Sequence, residues 1–313
     1  MKGLKFIEVK SEIGAGTRGA SLGVDALKIA AFDFGSDIFK NVPSSKVKTE
    51  NSSLFNPTNT SHGKRIANVF NVCSGVADAV SAELKKNTFP IVLSGDHSTS
   101  IGTMAGIKKA NPNKRLGVIW IDAHVDIHSP YTTPTGNLHG MPIAAALNED
   151  NKANKLNNPS KETIAYWNKL KKLGGVQPMF NYEDLVFISA RDMEPEESYL
   201  LKENKVKVFK TAEVRRKGVE KIAREAMVYL NDCDLIYVSF DVDSMDSSIS
   251  KGTGTPVRNG ITNKEAGSLC VRLVQNEKVC CFEMTEINPI LDNKNCMADN
   301  AFQILQMVAS QFY

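Results

Sequence analysis

The stretch LGVIWIDAHVD, residues 116–126, decides the fold class of this chain. Its first six residues are apolar and rich in Val and Ile, which is typical of a strand buried on both faces of a parallel sheet. Its last five residues alternate acids with a histidine, at the carboxyl end of that strand, where parallel sheets bind their ligands. The stretch therefore predicts an α/β protein with a chemical site beyond the strand ends.

Similar apolar runs recur along the chain, and longer segments with helical spacing separate them. Strands are predicted at 4–9, 90–93, 116–121, 185–189, 206–209, 235–240 and 279–284, and helices at 64–86, 98–109, 161–173, 212–231, 263–275 and 298–312. This alternation implies β-α-β crossovers and one parallel sheet with helices on both faces. Since there is no internal repeat and no linker-like segment, we expect residues 1–313 to form one domain.

Composition excludes several functional classes. Of 313 residues, 42% are hydrophobic and 23% are charged, enough for a substantial core, and the formal net charge is only +3. The basic runs at 169–172 and 215–217 contain no aromatic residues that could stack on bases, so we expect no nucleic-acid partner. No segment approaches the roughly 18 to 20 apolar residues of a membrane span, and the amino terminus lacks the apolar block of a secretory signal. Six cysteines without a CxxC pair indicate reduced thiols, and we expect a cytoplasmic protein.

The segment 148–184 is polar and predicts an excursion over the surface that carries the helix at 161–173. Its Trp167 is expected to anchor that helix to the body of the protein rather than to contact a ligand.

Polar residues follow three predicted strands, in GDH (95–97), DAHVD (122–126) and SFDVD (239–243). Residues i and i+2 of an extended chain point to the same side. If the three strand ends are neighbours and the chain stays extended beyond them, two imidazoles and four carboxylates converge: His97, Asp122, His124, Asp126, Asp241 and Asp243.

Four buried carboxylates within a few ångströms could not all stay ionised without cations. Any one of these acids alone could be a helix cap or a turn residue, but their joint pattern indicates metal ligands. An oxygen-rich set suits Mn²⁺, and six side chains suit a pair of ions that activates water. Two Mn²⁺ ions (+4), four carboxylates (−4) and one hydroxide leave a site charge of −1, which favours a cationic substrate.

Six motifs carry a family resemblance: GDHS (95–98), DAHVD (122–126), GNLHG (136–140), SFDVD (239–243), TGTP (253–256) and EINP (286–289). In order and nearly along the whole chain, they resemble the ureohydrolases, most closely arginase. The resemblance implies a three-layer α/β/α fold with an eight-stranded parallel sheet, two Mn²⁺ ions, hydrolysis of a guanidinium group to urea and an amine, and a homo-trimer or hexamer.

The resemblance also implies roles for residues. His97 and Asp126 would bind one ion, His124 and Asp243 the other, and Asp122 and Asp241 would bridge them. Asp126 would also orient the metal-bridging hydroxide, His139 would shuttle a proton to the leaving amine, and Glu286 would pair with the guanidinium group, with Thr255 nearby. Substrate contacts would come from His128, Thr135, Asn137, Glu194 and Glu197.

Three of those substrate positions depart from the arginase pattern: His128 replaces Asn, Thr135 replaces Ser, and Glu194 replaces Asp. Gly252 before TGTP is similar to agmatinases, whereas GNLHG favours arginase. The leading expectation is therefore hydrolysis of L-arginine to L-ornithine and urea. Agmatinase, guanidinobutyrase and formimidoylglutamase activities stay open, as does a non-catalytic protein that binds metal or guanidinium. A two-metal phosphoesterase would use similar ligands, but it would usually bring Arg or Lys to the phosphate.

Overall fold

A computed structural model describes residues 3–312, and within them eight strands form one all-parallel sheet. The strands are β1 (Gly3–Val9), β2 (Ser44–Lys46), β3 (Thr88–Ser94), β4 (Leu116–Ile121), β5 (Leu185–Ile188), β6 (Lys207–Phe209), β7 (Leu235–Asp241) and β8 (Val279–Thr285). Their order across the sheet is β2-β1-β3-β8-β7-β4-β5-β6. The predicted eight-stranded parallel sheet is confirmed.

Helices cover both faces of the sheet, which confirms the predicted three layers. The described residues form α1 (Gly23–Asp33), α2 (Ile38–Asn41), α3 (Ile66–Lys85), α4 (Ser100–Ala110), α5 (Pro142–Leu147), α6 (Lys161–Lys171), α7 (Pro195–Glu203), α8 (Thr211–Lys217), α9 (Val219–Tyr229), α10 (Asn263–Val274) and α11 (Cys296–Ala309). One core joins the sheet to α1, α2 and α8 to α11, and the other joins it to α3 to α7. Alternate side chains of each strand thus enter different cores, as the two-residue strand period requires.

Local chemistry explains where the predicted elements differ from the observed ones. The segment 212–231, predicted as one helix, is two, α8 and α9, because Gly218 between them has a φ of 80°. Glycine adopts this left-handed conformation without the steric cost that a side chain would add. Strand β2 went unpredicted because its sequence is only Ser-Ser-Lys; it belongs to the sheet because Phe6 of β1 pairs with Ser44.

The polar segment 148–184 carries α6, and Trp167 of that helix is 1% exposed. The Trp167 indole N–H donates a hydrogen bond of 2.8 Å to Asp150 Oδ1, and its ring packs in the core beneath α3 to α7. The prediction that Trp167 anchors its helix is therefore confirmed. Within residues 3–312, every helix is too short or too polar to cross a membrane.

The arrangement of the strand ends corrects one expectation. The three motif-bearing strands are not direct neighbours, because β8 lies between β3 and β7. The final strand of a doubly wound sheet can insert at its centre, and β8 does so here. As a result, the residues that follow β8, starting with Glu286, emerge in the middle of the site.

Candidate metal centre

His97 is held rigidly just beyond β3. It opens a single 3₁₀ turn, His97–Thr99, which Asp96 caps by accepting a hydrogen bond from the Ser98 backbone N–H. The His97 ring stacks on the Trp120 ring, with centroids 4.0 Å apart and planes at 9°, and its Nε2 lies 2.8 Å from Ser239 Oγ. These contacts leave Nδ1 as the ring nitrogen that faces the site.

Three carboxylates surround that nitrogen. His97 Nδ1 lies 3.1 Å from one oxygen each of Asp122, Asp126 and Asp241. Asp126 reaches this position differently from the expectation, because its φ is 48° and the chain is not extended there. The left-handed turn at Asp126 lets the backbone leave the sheet while the carboxylate still points at His97.

His124 forms the second half of the cluster. Its Nδ1 lies 3.0 Å from Asp243 Oδ2 and 3.5 Å from Asp122 Oδ1. The other oxygen of Asp243 accepts a hydrogen bond of 3.1 Å from the Ala123 backbone N–H, which fixes this acid between β7 and β4. Asp122 therefore lies between the two histidines.

Two groups of ligand atoms follow from this geometry. His97, Asp122 and Asp126 form one, and Asp122, His124 and Asp243 form the other, each with its atoms within 4.8 Å of one another. The six predicted metal ligands are all brought together, and Asp122 belongs to both groups. This is an arrangement that can hold two ions sharing one carboxylate.

Buried polar atoms without partners indicate that cations complete the cluster. His97 Nδ1 and Asp122 Oδ2 are both buried and make no hydrogen bond, although the three neighbouring carboxylates lie close to Nδ1. A buried ligand atom without a hydrogen bond carries a substantial free-energy cost, which coordination to a metal ion would remove. The residues present therefore fit a pair of divalent cations.

The pKa values of the acids reflect the burial of several negative charges close together. Burial, together with Asp243 and Asp122, raises the pKa of Asp241 well above its ordinary value. Burial and the charge of Asp122 also raise the pKa of Asp243, to about 6. Burial opposes the charge on Asp122 too, but contacts with His124 and His97 lower its pKa. Without cations, these carboxyl groups compete for too little positive charge.

His139 and Glu286 form a pair at the wall of the site. Glu286 Oε1 lies 3.3 Å from His139 Nδ1 and accepts a 2.9 Å hydrogen bond from the His97 backbone N–H. Burial opposes protonation of His139, but Glu286 raises its pKa to about 8. Burial likewise opposes the charge on Glu286, and His139 nevertheless lowers its pKa. Beside them, the Thr255 hydroxyl donates to Asp243 Oδ2 at 3.2 Å.

A pocket of about 330 Å³ opens above the cluster, and every predicted catalytic or substrate-binding residue lines it. Among the other lining residues, His128 Nε2 lies 3.2 Å from Glu194 Oε2 and 3.7 Å from Glu197 Oε2. Glu197 is buried and accepts hydrogen bonds from the backbone N–H groups of Ile127 and Glu194. Thr135 is exposed and Asn137 half-buried at the rim. The pocket thus contains both the His139–Glu286 pair and a separate group formed by His128, Glu194 and Glu197.

Ser239 and Asp192 are examples of site residues that were not predicted from the sequence. Ser239 contacts His97, and Asp192 lines the pocket with Oδ2 3.8 Å from His124 Nε2. Ser239 could have been predicted from the strand period, because it stands two residues before Asp241 and so points to the same side of β7. Asp192 had no such periodic signal, because it lies in the loop between β5 and α7.

Several known proteins are similar to this chain along almost its whole length. The model of the Arginase family matches residues 3–310. The chain is 31% identical to the arginase of Bacillus subtilis (strain 168) over 315 residues, 97% of each chain, and 32% identical to that of Brevibacillus brevis over 319 residues, 98% of this chain and 97% of that one. The native structure of arginase from Bacillus caldovelox matches with a TM-score of 0.83 and 30% identity, covering 98% of each chain.

Proposed function

The chain belongs to the arginase family, and we propose that it hydrolyses L-arginine to L-ornithine and urea with two Mn²⁺ ions as its cofactors. The observation that carries this proposal is the pair of ligand groups that share Asp122 at the base of the pocket containing Glu286.

His97 and Asp126 would hold one ion, His124 and Asp243 the other, and Asp122 and Asp241 would contact both. Four carboxylates and two imidazoles form an oxygen-rich donor set without thiolates, which favours Mn²⁺ over metals that select sulfur. When bound, the two ions would balance the acids and lower the pKa of a water molecule so that it can act as a nucleophile near neutral pH.

Glu286 would bind the guanidinium group of the substrate through charge-assisted hydrogen bonds. Its position is fixed by the His97 backbone N–H, so the guanidinium carbon would be held next to the cluster. Asp126 would accept a hydrogen bond from the attacking water and orient it, and Thr255 would hold Asp243 in place.

His139 would complete the reaction by moving a proton. Water adds to the guanidinium carbon, the bond from that carbon to the side-chain nitrogen breaks, and this nitrogen leaves as the amine of ornithine. The leaving nitrogen needs a proton, and the pKa of His139, raised by Glu286 to about 8, keeps the ring protonated near neutral pH.

The remaining pocket residues would recognise the amino-acid end of the substrate. Glu194 and Glu197 supply negative charge for an α-ammonium group, and Thr135 and Asn137 offer hydrogen bonds at the rim. His128, beside the two acids, would contribute to the contact with the α-carboxylate. These contacts would favour L-arginine over agmatine, which lacks the carboxylate.

The decisive experiment compares urea release from L-arginine and agmatine with the corresponding hydrolysis of guanidinobutyrate and N-formimino-L-glutamate, all with Mn²⁺-loaded protein. We expect L-arginine to give the highest kcat/KM and the chelated protein to be inactive. Faster turnover of another substrate would show that arginine is not the preferred substrate, but the proposed hydrolytic mechanism would still stand. Hydrolysis of a generic phosphate ester, or no hydrolysis at all with both ions bound, would favour the phosphoesterase or the non-catalytic alternative.

Three further properties belong to the same proposal. Residues 1–313 would act as one domain, in a homo-trimer or hexamer, which light scattering during gel filtration would measure. The protein would act in the cytoplasm; the reduced cysteines expected from the sequence support a reducing compartment. Its partner would be the small guanidino substrate, with no nucleic acid and no membrane.

A further inference from the structure

Arg191 lies in the loop 189–194, between β5 and α7, and its side chain is half-buried. The pocket is lined by other residues, and the proposed reaction does not use this one. The backbone N–H groups of Arg191 and Asp192 both donate to the Ala123 carbonyl, at 2.8 and 3.0 Å. Since Ala123 stands between the proposed ligands Asp122 and His124, the backbone of Arg191 is fixed relative to the metal cluster.

The guanidinium group of Arg191 bonds to three separate stretches of the chain. It donates hydrogen bonds of 2.8 to 3.3 Å to the hydroxyl of Ser189 and to the carbonyl oxygens of Ser189, Asp243, Ser244, Met245, Val257 and Arg258. A guanidinium group presents its N–H donors in a rigid planar fork, so the acceptors are held at fixed positions relative to one another. The side chain therefore ties the loop 189–194 to the turn after β7 and to the segment 253–258.

The segment 253–258, with the sequence TGTPVR, contributes to the pocket without a helix or a strand of its own. Three of its residues line the pocket: Thr255, Pro256 and Val257. The Val257 carbonyl accepts a hydrogen bond from the Ser247 backbone N–H at 3.2 Å and another from Arg191 Nη2 at 3.0 Å. The Arg258 carbonyl accepts from Arg191 Nε at 2.9 Å. Because hydrogen bonds from a charged donor are the stronger kind, Arg191 is a main attachment of this segment to the body of the protein.

The proposed metal ligand Asp243 has support besides Arg191. Its carboxylate accepts a hydrogen bond from the Ala123 backbone N–H at 3.1 Å, and its own N–H donates to Asp241 Oδ1 at 2.8 Å. Both bonds remain when the guanidinium group is removed, although the bond to the Asp243 carbonyl is lost. The segment 253–258 then loses both of its bonds to Arg191. Removing the guanidinium group should therefore change the pocket more than the metal cluster.

We infer that Arg191 is a positioning residue for substrate binding: its guanidinium group holds the pocket segment 253–258 at a fixed position relative to the loop 189–194, which carries Glu194. The inference deepens the proposed function and rests on it for the identity of the substrate. When a binding-competent position is occupied for only a fraction of the time, the apparent dissociation constant rises by the inverse of that fraction. Without the guanidinium group, the protein would therefore bind its substrate more weakly but hydrolyse the bound substrate at a similar rate.

The first part of the test separates KM from kcat in Mn²⁺-loaded Arg191→Lys and Arg191→Met. Lysine keeps the positive charge but carries its donors on one nitrogen, so it cannot bond to all three stretches of chain. Methionine removes the charge and the donors. We expect KM for L-arginine to rise about tenfold in Arg191→Met and by less in Arg191→Lys, with kcat within about threefold of the wild type. Elemental analysis should show two ions bound in both variants.

The second part measures the position of the segment by amide hydrogen exchange in the holoenzyme without substrate. The Ser247 N–H donates to the Val257 carbonyl, so it exchanges faster when the segment moves away. The Ile236 N–H of β7, which donates to the Lys278 carbonyl at 2.7 Å, reports on the sheet as a whole. We expect exchange at Ser247 to be about tenfold faster in Arg191→Met, with Ile236 unchanged.

Arg215→Met is the matched control, because Arg215 of α8 donates a 2.7 Å hydrogen bond to the Gly260 carbonyl, just beyond the segment, and leaves the link to the loop 189–194 intact. Its KM, kcat and Ser247 exchange should stay within about twofold of the wild type.

A KM within about twofold of the wild type in Arg191→Met, or a lower kcat at unchanged KM, would overturn the inference. So would equal acceleration of exchange at Ser247 and Ile236, or failure of both Arg191 variants to fold with two ions, because Arg191 would then support the whole fold. If the wild type releases no urea from L-arginine, the proposed function is wrong, and the exchange rates still decide whether Arg191 holds the segment.

Discussion

Replacing Glu286 by glutamine tests the guanidinium contact with little change in shape. Glu286 is 3% exposed, and its Oε1 already accepts from the His97 backbone N–H, a bond that a glutamine amide oxygen can keep. The variant therefore removes one negative charge from the pocket and leaves the surrounding backbone in place.

The magnitude follows from the type of contact that is lost. A hydrogen bond to a charged group contributes about 1.5 to 3 kcal/mol, and every 1.36 kcal/mol is a factor of ten in rate. We expect kcat/KM for L-arginine to fall about 10- to 150-fold in Glu286→Gln. Steady-state urea release measures it, with elemental analysis to show that both ions are still bound.

Asp192→Asn is the control for this charge. The Asp192 side chain lines the same pocket but is 64% exposed, so water screens it, and it has no proposed contact with the substrate. We expect its kcat/KM to change by about threefold or less.

The pKa of His139 gives a second measurement on the Glu286 variant. Glu286 raises that pKa against the effect of burial, so it should fall below about 8 in Glu286→Gln. Titration of the chelated protein by NMR would detect the change. A kcat/KM within threefold of the wild type, or an unchanged pKa of His139, would contradict the assigned contacts.

Three further predictions concern the same site. His139→Asn should lower kcat at least tenfold while Mn²⁺ content stays at two, because the ring supplies a proton and contacts neither ion; unchanged kcat would refute the shuttle. Asp122→Asn should weaken the binding of both ions together, whereas Asp243→Asn should weaken the binding of one ion first. Elemental analysis during stepwise chelation would show the difference, and the same order of metal loss in the two variants would contradict the shared role of Asp122. His139 has a pKa of about 8 when folded and about 6.5 when unfolded, so its pairing stabilises the fold below pH 6.5 and this contribution is lost as pH rises through 8. Chelated His139→Asn should then be less stable than the wild type by ~2 kcal/mol at pH 6 and by progressively less towards pH 9 in denaturant unfolding; a constant difference would exclude the ion pair.

The sequence predicts which acids and histidines come together because most of them lie at the end of a strand and follow its two-residue period. Asp241 and Asp243 are examples, since their common direction depends only on the geometry of β7. Asp126 shows the limit of that reasoning, because its left-handed φ of 48° depends on how the loop packs after it leaves the sheet.

The order of the strands in the sheet is harder to predict from the sequence than the positions of the strands along the chain. Nothing in the composition of β8 indicates that it inserts between β3 and β7, because that choice depends on how helices pack on the two faces. Glu286 could therefore be predicted as a site residue only from the family resemblance and not from the strand period. The short polar strand β2 was not predicted for a different reason. Its own residues carry no strand pattern, and its place in the sheet depends on pairing with β1.

The stacking of His97 on Trp120 gives the protein an intrinsic optical reporter. The chain has two tryptophans, and the other, Trp167, donates its indole N–H to Asp150 and packs in the same core as Trp120. A paramagnetic ion bound by the His97 imidazole, whose ring centroid lies 4.0 Å from that of Trp120, would quench the emission of the Trp120 indole. Loading of this half of the cluster can thus be followed in solution, without labels, from the fluorescence that the fold already provides.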